Sequence, residues 1–342
     1  MAYTTINKGS SYFNTVTYTG TGVSRNQTGV GFNPDWVWIK SRSNAYSNNV
    51  WDRVRGAGQR LITNESGAEE TQTGDMSAFV TDGITVGAGN ITNANGATFV
   101  MWNWLANNTS GSSNTAGSIT STVSANTTAG FSIVSYTNPA SGSPFTVGHG
   151  LGVAPKMIIV KTRNVAQTWG VWHTSIGFGN YLRLDSTAAT AAANLVTATS
   201  STTFSTYQNH HATSDTLIAY CFAEVKGYSK FGSYTGNGSA DGTFVYTGFK
   251  PAFLIIKESS AAGAQWYMYD NKTAPFNLVN ENLFPNLSNA TNSGNNQVDF
   301  YSNGFKMRSS NTDTNNSGNT YIYMAFAENP FVTSTSIPTT AR

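Results

Sequence analysis

The chain has 342 residues, room for two or three domains of ordinary size. Charged residues make up only 11% of it, against roughly 25% in an average soluble domain, and an aromatic share of 13% argues against disorder. The net charge is +2, no basic stripe is present, and no apolar run approaches the ~20 residues of a membrane span, so nucleic-acid binding and membrane insertion are not expected.

The start, Met1-Ala2-Tyr3-Thr4-Thr5, lacks the basic-then-apolar order of a secretory signal. The single Cys221 leaves no internal disulfide, which suits folding in a reducing cytoplasm.

Taken along the chain, one strand signature occurs three times. It reads Gly31-Phe-Asn-Pro34-Asp-Trp-Val-Trp-Ile-Lys40, then Gly152-Val-Ala-Pro155-Lys-Met-Ile-Ile-Val-Lys161, then Gly248-Phe-Lys-Pro251-Ala-Phe-Leu-Ile-Ile-Lys257. Proline opens a strand without needing to donate to the ladder. The unbroken apolar run after it predicts burial on both faces. Upstream of each lies Val16-Thr-Tyr18, Val134-Ser-Tyr136 or Gly232-Ser-Tyr234. Downstream lies an aromatic–polar pair, Trp51-Asp52, Trp172-His173 or Tyr269-Asp270. Each copy closes on a further apolar strand, Phe99–Trp104, Leu217–Phe222 or Tyr321–Phe326.

Asp82-Gly83 and Asn303-Gly304 predict type I′ hairpin turns. The second copy departs there, with Phe204-Ser-Thr-Tyr207-Gln208-Asn209, and its hairpin is expected to loop differently. No long helical period occurs; Ala188 to Leu195 has room for a turn or two of helix.

The fold class is therefore all-β, as three tandem antiparallel β-sandwich-like repeats. The expected boundaries are 1–108 for the divergent first repeat, 129–226 for the second, 227–332 for the third and 333–342 for a tail. A Ser/Thr/Asn/Gly tract at 109–128 reads as a flexible linker or extended loop. Separate sandwiches are favoured over sheets shared around one axis, because each copy has enough apolar strands to close alone. The first unit is then free to swing, while the last two, joined at Glu224-Val-Lys-Gly-Tyr228, pack together.

Two stretches, Gly148–Lys161 and Ala219–Gly238, together with Tyr323–Phe331, resemble a domain found repeatedly in virion proteins of tailed bacteriophages, marine ones especially. The resemblance covers the chain from about Phe131 onward and is weaker over the first copy. It implies a structural role on the virion, as an oligomeric tail-fibre, appendage or particle-surface decoration subunit. Other virion proteins and further copies of the chain, as a homotrimer, are the implied partners. Synthesis in the host cytoplasm and display on the particle exterior follow. The resemblance carries no functional residue to this chain.

Nucleophile-elbow, dinucleotide, phosphate-loop and zinc-protease signatures are absent, so no enzyme, cofactor or metal is expected. A glycan depolymerase would need two neighbouring carboxylates. The candidates are Glu224, Asp270, Glu281, Asp299 and Glu328, of which Glu224 and Glu328 share a repeat position, as Asp52 and Asp270 do with His173. His149 and His210-His211 suit loop capping or exposure more than ligation. Asn311-Thr-Asp313-Thr-Asn315 alternates oxygen donors as a calcium loop does, but Asn316 and Ile322 stand where such a loop needs Gly and Glu. Trp169 and Trp172 suit sugar stacking, yet Trp266 and Tyr269 recur at their positions, which favours core packing; Trp36 and Trp38 belong to a buried strand. The alternative to a structural role is an adhesin for a host surface glycan, which requires an exposed aromatic cluster on one unit.

Overall fold

A strand that is apolar at every position needs cover on two faces, and the computed structural model of the chain supplies both. It describes residues 4–139, 144–207, 211–294 and 296–330. The tail expected at 333–342, and His210, Gln208 and Asn209, lie outside the described residues.

The regular structure is nearly all β, with only single turns of helix among the described residues. Three main antiparallel sheets share one four-strand order. In the first lobe it runs Phe13–Thr19, Thr98–Trp104, Trp36–Ser41, Asn49–Asp52. In the second it runs Phe131–Thr137, Thr216–Phe222, Met157–Thr162, Gly170–His173. In the third it runs Ser229–Thr235, Thr320–Ala327, Pro251–Glu258, Tyr267–Asp270. A three-stranded outer sheet accompanies each: 25–28 with 83–86 and 76–80, 145–148 with 203–206 and 198–199, and 244–246 with 304–307 and 298–301.

The alternation of side chains along a strand divides the core. Val37 and Ile39 face the first lobe's own outer sheet, as Ile158 and Val160 do in the second lobe and Leu254 and Ile256 in the third. Trp36, Trp38, Met157, Ile159, Phe253 and Ile255 face the opposite way, into one cluster common to all three lobes. Aromatic contacts cross every boundary inside it. Trp36 stacks on Tyr220 at 4.4 Å, Phe13 packs on Phe253 at 5.2 Å, and Phe222 meets Phe326 at 6.2 Å.

The lobes are thus sandwiches that share a core about one axis, and the expectation of independent units is corrected. A sandwich closes one face of its main sheet, and the second apolar face needs the neighbouring lobes. The first lobe does not swing: Trp36, Trp102 and Trp104 are locked against second- and third-lobe rings.

The 109–128 tract is no linker. Ser112–Asn114 and Ser121–Asn126 extend the second main sheet, the latter pairing Val123 with Val134. Ser112–Asn114 is the edge of that sheet, where side chains have little cover and polar ones are tolerated. Ala188–Leu195 forms no helix; Ala191–Ala192 pairs as an edge strand with Asn180–Tyr181.

The hairpin turns also differ from expectation. Val80 pairs with Gly83 and Tyr301 with Gly304, so the turn residues are Thr81-Asp82 and Ser302-Asn303, and only Asp82 has positive φ, at 65°. The glycines are needed for close approach instead: a Cβ on Gly83 would meet the Gln27 carbonyl at 2.0 Å, and one on Gly304 the Val245 carbonyl at 2.1 Å. In the second lobe the turn comes earlier, where Ser200 N–H bonds Thr203 O at 2.8 Å. Phe204 therefore sits on the second strand of its hairpin, opposite Val147, and corresponds to Ile84 and Phe305.

Candidate functional site

Most polar residues that recur in the three copies turn out to join lobes. The lysines ending the strand signature, Lys40, Lys161 and Lys257, are fully buried. Each reaches a carbonyl of another lobe. Lys40 Nζ donates to Ser288 O at 3.0 Å, Lys161 to Ser66 O at 3.2 Å and Lys257 to Thr187 O at 3.4 Å. First joins third, second joins first, third joins second: the set closes a ring. Burial pulls the ammonium of Lys40 down to about 7 and those of Lys161 and Lys257 to about 8.

The same ring is drawn by other equivalent positions. Asn48 Nδ2 donates to Phe284 O at 2.9 Å, Trp169 Nε1 to Ile62 O at 2.8 Å and Trp266 Nε1 to Arg183 O at 2.8 Å. Backbone bonds repeat it, from Thr291 N to Arg42 O, Glu69 N to Arg163 O and Thr190 N to Ser259 O.

The aromatic–polar slot points the other way around the ring. Tyr220 Oη donates to Asp52 Oδ2 at 2.7 Å, His173 Nε2 lies 3.2 Å from Tyr323 O, and Trp102 Nε1 donates to Asp270 Oδ2 at 3.1 Å. His173 Nδ1 accepts the Ser175 N–H, which assigns the proton to Nε2. Burial lowers His173 to about 4. Burial raises Asp270, against the pull of bonds from Thr273, Lys272 and Trp102. Asp52 is further held by Arg55, whose Nη1 also meets Glu69 Oε2 at 3.0 Å, and Glu69 binds Arg163 of the second lobe at 2.8 Å.

The other sequence candidates are likewise committed to the fold. Glu224 pairs with Lys230 at 2.9 Å, Glu281 with Arg42 at 2.8 Å, Glu328 with Lys250 at 2.8 Å and Asp299 with Arg308 at 3.4 Å. Among the described residues no two of the five candidate carboxylates share a partner. His149 caps its own loop, accepting Leu151 N–H on Nδ1 with Nε2 against Ser200 O. His211 Nδ1 lies 2.7 Å from Thr162 Oγ1. In the calcium-like segment, Asn311 caps a single turn over Thr312–Asn315, Asp313 accepts from Tyr267 Oη, and Asn315 spans Asn237, Ser239 and Ser309. Its oxygens face bonds of their own, and no cluster of three metal-binding side chains occurs among the described residues. Trp169, Trp172, Trp266 and Tyr269 are core residues, as is Cys221, whose thiol burial pushes up.

One surface stands apart. On the third lobe's outer sheet Tyr246, Phe244 and Tyr301 are 63%, 45% and 38% exposed. Cross-strand register sets Tyr246, Gly304 and Tyr301 in one row and Phe244, Lys306 and Asp299 in the next. Gly304 leaves room for the Phe244 ring, whose Cζ would lie 3.0 Å from a Cβ there, and Phe244 meets Tyr301 edge-on at 6.1 Å. The matching positions carry Asn26, Thr28 and Val80 in the first lobe, and Thr146 and Gly148 on the second lobe's 145–148 strand. The sequence holds the signal, Phe244-Val-Tyr246 beside Asn26-Gln-Thr28, but it is legible only once the outer strands are in register.

Tyr246 also lines a cleft of about 380 Å³ at the junction of the second and third lobes, with Glu224, Lys226, Ser229, Lys230 and Thr247. Charges near the aromatic face are paired: Lys306 binds Asp241, and Arg308 bridges Asp241 at 3.6 Å and Asp299 at 3.4 Å. The Lys306 bond holds the Asp241 carboxyl below its usual range.

No curated protein and no solved structure matches the chain. The model of one family, described as a domain of unknown function (DUF7483), matches residues 8–330, spanning all three lobes as one unit. The chain belongs to that family.

Proposed function

We propose that this chain is a structural protein of a tailed-phage virion, a tail-fibre, appendage or decoration subunit displayed on the particle exterior. The observation that carries the reading is the commitment of the recurring polar residues to lobe closure. Lysines, carboxylates and indoles at equivalent positions bond across the three boundaries, which suits a rigid building block. The resemblance of Gly148–Lys161 and Ala219–Gly238 to virion proteins supplies the setting. Synthesis in the host cytoplasm accords with the buried, reduced Cys221. Its partners are other virion proteins and further copies of itself, as a homotrimer that docks through outer surfaces, since the inner faces are already covered within the chain.

Gold-labelled antibody against the chain should decorate purified particles, and particles whose protein inventory lacks the chain would overturn the proposal. Light scattering should give three times the chain mass; a stable monomer at all concentrations rules out the trimer.

A second reading, a host-binding adhesin, is favoured by one observation. Among the described residues, five of the nine large apolar side chains left exposed, Phe244, Tyr246, Phe276, Leu278 and Tyr301, lie on the third lobe.

A further inference from the structure

Single exposed rings are ordinary on a protein surface, but three neighbouring ones on one sheet face mark a candidate interaction site. Packing explains part of the group. Phe244 lies over the bare backbone of Gly304, and Tyr301 supports its edge and donates to Asp299 Oδ2 at 3.1 Å. Tyr246 is the most exposed of the three, and its ring stands at the mouth of the cleft.

The cleft has the dimensions of a small-ligand site, which typically runs from about 300 to 1,000 Å³. Its polar lining is Glu224 with its partner Lys230, the lobe-junction Ser229, and Lys226 and Thr247. Glu224 Oε1 bonds Lys230 Nζ, and Oε2 faces the Phe231 N–H at 3.4 Å. A carboxylate has about four acceptor positions, so Glu224 keeps capacity for hydroxyl donors, and the ammonium keeps donors for hydroxyl oxygens. Charge decides the ligand class. With Lys230 paired to Glu224, Lys306 to Asp241 and Arg308 to Asp241 and Asp299, an ionic ligand has to displace an existing partner. A ligand of many hydroxyls and no charge does not. Ring faces offer apolar cover, which suits the C–H face of a pyranose.

From this geometry we infer that the third lobe binds a neutral glycan: one sugar ring stacks on Tyr246, its hydroxyls bond the Glu224–Lys230 pair in the cleft, and the chain continues over Phe244 and Tyr301. The inference rests on the adhesin reading and gives it a site and a ligand class. The first and second lobes do not share the site, because Thr28 and Gly148 stand where the third has Tyr246.

The full chain is the reagent for the test. Neutral and acidic oligosaccharides are arrayed, and binders are titrated by saturation-transfer NMR. Neutral glycans are expected to bind, Tyr246→Ala to weaken them at least tenfold, and Lys230→Gln severalfold. Phe178→Ala, which removes an exposed ring stacked on Trp172 in the second lobe, is expected to leave binding unchanged. Melting temperatures of the variants separate loss of the site from loss of the fold. The inference is overturned if no neutral glycan binds, if only acidic glycans bind, or if folded Tyr246→Ala binds as the parent does. It is also overturned if Tyr246→Ala abolishes self-association and no glycan is bound, since the rings then serve a second copy of the chain. Particle labelling is independent of all these results, so a failed glycan test leaves the virion assignment standing.

Discussion

Trp36→Ala tests whether three lobes share one core or merely touch. The indole belongs to the first lobe but lies 4.4 Å from the second-lobe ring of Tyr220, 5.8 Å from Phe131 and 6.0 Å from Phe222. Removing a fully buried aromatic of this size destabilises by about 3–5 kcal/mol, through lost transfer energy and the cavity left behind. Unfolding entropy of about 2.1 cal/mol/K per residue gives the whole chain about 0.7 kcal/mol/K, so 4 kcal/mol corresponds to a fall of about 6 °C in Tm. If only the first lobe unfolded with Trp36, the entropy would be about a third as large and the shift about threefold greater, confined to one part of the heat absorption. Differential scanning calorimetry separates the cases. A single transition, displaced as a whole by about 6 °C, is expected. Two transitions, with the second- and third-lobe signal unmoved, would refute the shared core.

Other predictions follow from the polar bonds between lobes. His173 is held neutral in the fold at about 4 and titrates at about 6.5 when unfolded, so the unfolded state binds the extra proton between those values. Stability is therefore lost as pH falls from 6.5 to 4, by up to about 1.4 kcal/mol per unit from this residue. Urea midpoints should show a shallower acid slope in His173→Asn, which keeps an acceptor for the Ser175 N–H but cannot titrate; an unchanged slope would refute the assignment. The buried lysines act at the other end of the scale, since the unfolded state is still protonated when Lys161 at about 8 is not. Their contribution to stability rises with pH from 8 towards 10, and Lys161→Met is expected to flatten the denaturation profile there, a result contradicted if the variant's midpoints parallel the parent's. Arg55→Met leaves the buried Asp52 without its cation, while Glu69 keeps Arg163, and should destabilise by about 3–5 kcal/mol in chemical denaturation. Tyr220→Phe removes one bond to the same Asp52 and should lose about 2 kcal/mol; equal losses would mean that the arginine is not the centre of the cluster.

The signature strands of the main sheets were legible because their apolar runs are unbroken and begin at a proline or two residues after it. Burial of Val37 and Ile39 on one side and Trp36 and Trp38 on the other is what such a run encodes. What covers the second face is not encoded locally. Trp36 looks the same in a sequence whether its partner is a second sheet of its own lobe or Tyr220, 184 positions away. The 109–128 tract misled for a related reason. Ser112 and Ser113 are exposed and polar because theirs is an edge strand, and their pairing to Thr122 and Val123 is made by backbone. Lys40, Lys161 and Lys257 carried a usable signal, recurring at one place after four apolar residues, yet a lysine there reads as a solvated strand end until the carbonyls of Ser288, Ser66 and Thr187 are seen. The candidate site was hidden more deeply. Phe244 and Tyr246 read as an ordinary alternating strand, and only the register with Gly304 shows that both rings take the wet face.

This division between inner and outer faces bears on where differences among the lobes can arise. Trp104, Phe222 and Phe326 occupy equivalent inner positions and touch one another's lobes, so a change at any of them strains at least two lobes. Phe244 and Tyr246 face outward, away from the common cluster, and a change there disturbs one sheet face only. A three-lobed ring closed within one chain therefore fixes its inside and leaves three separate outer sheets to specialise. Copies assembled from identical chains have no such freedom, because a ring placed on one would appear on all. The aromatic face on the third lobe alone is the kind of asymmetry that this construction permits, and it places the search for recognition on the outer sheets rather than on the recurring polar residues of the interior.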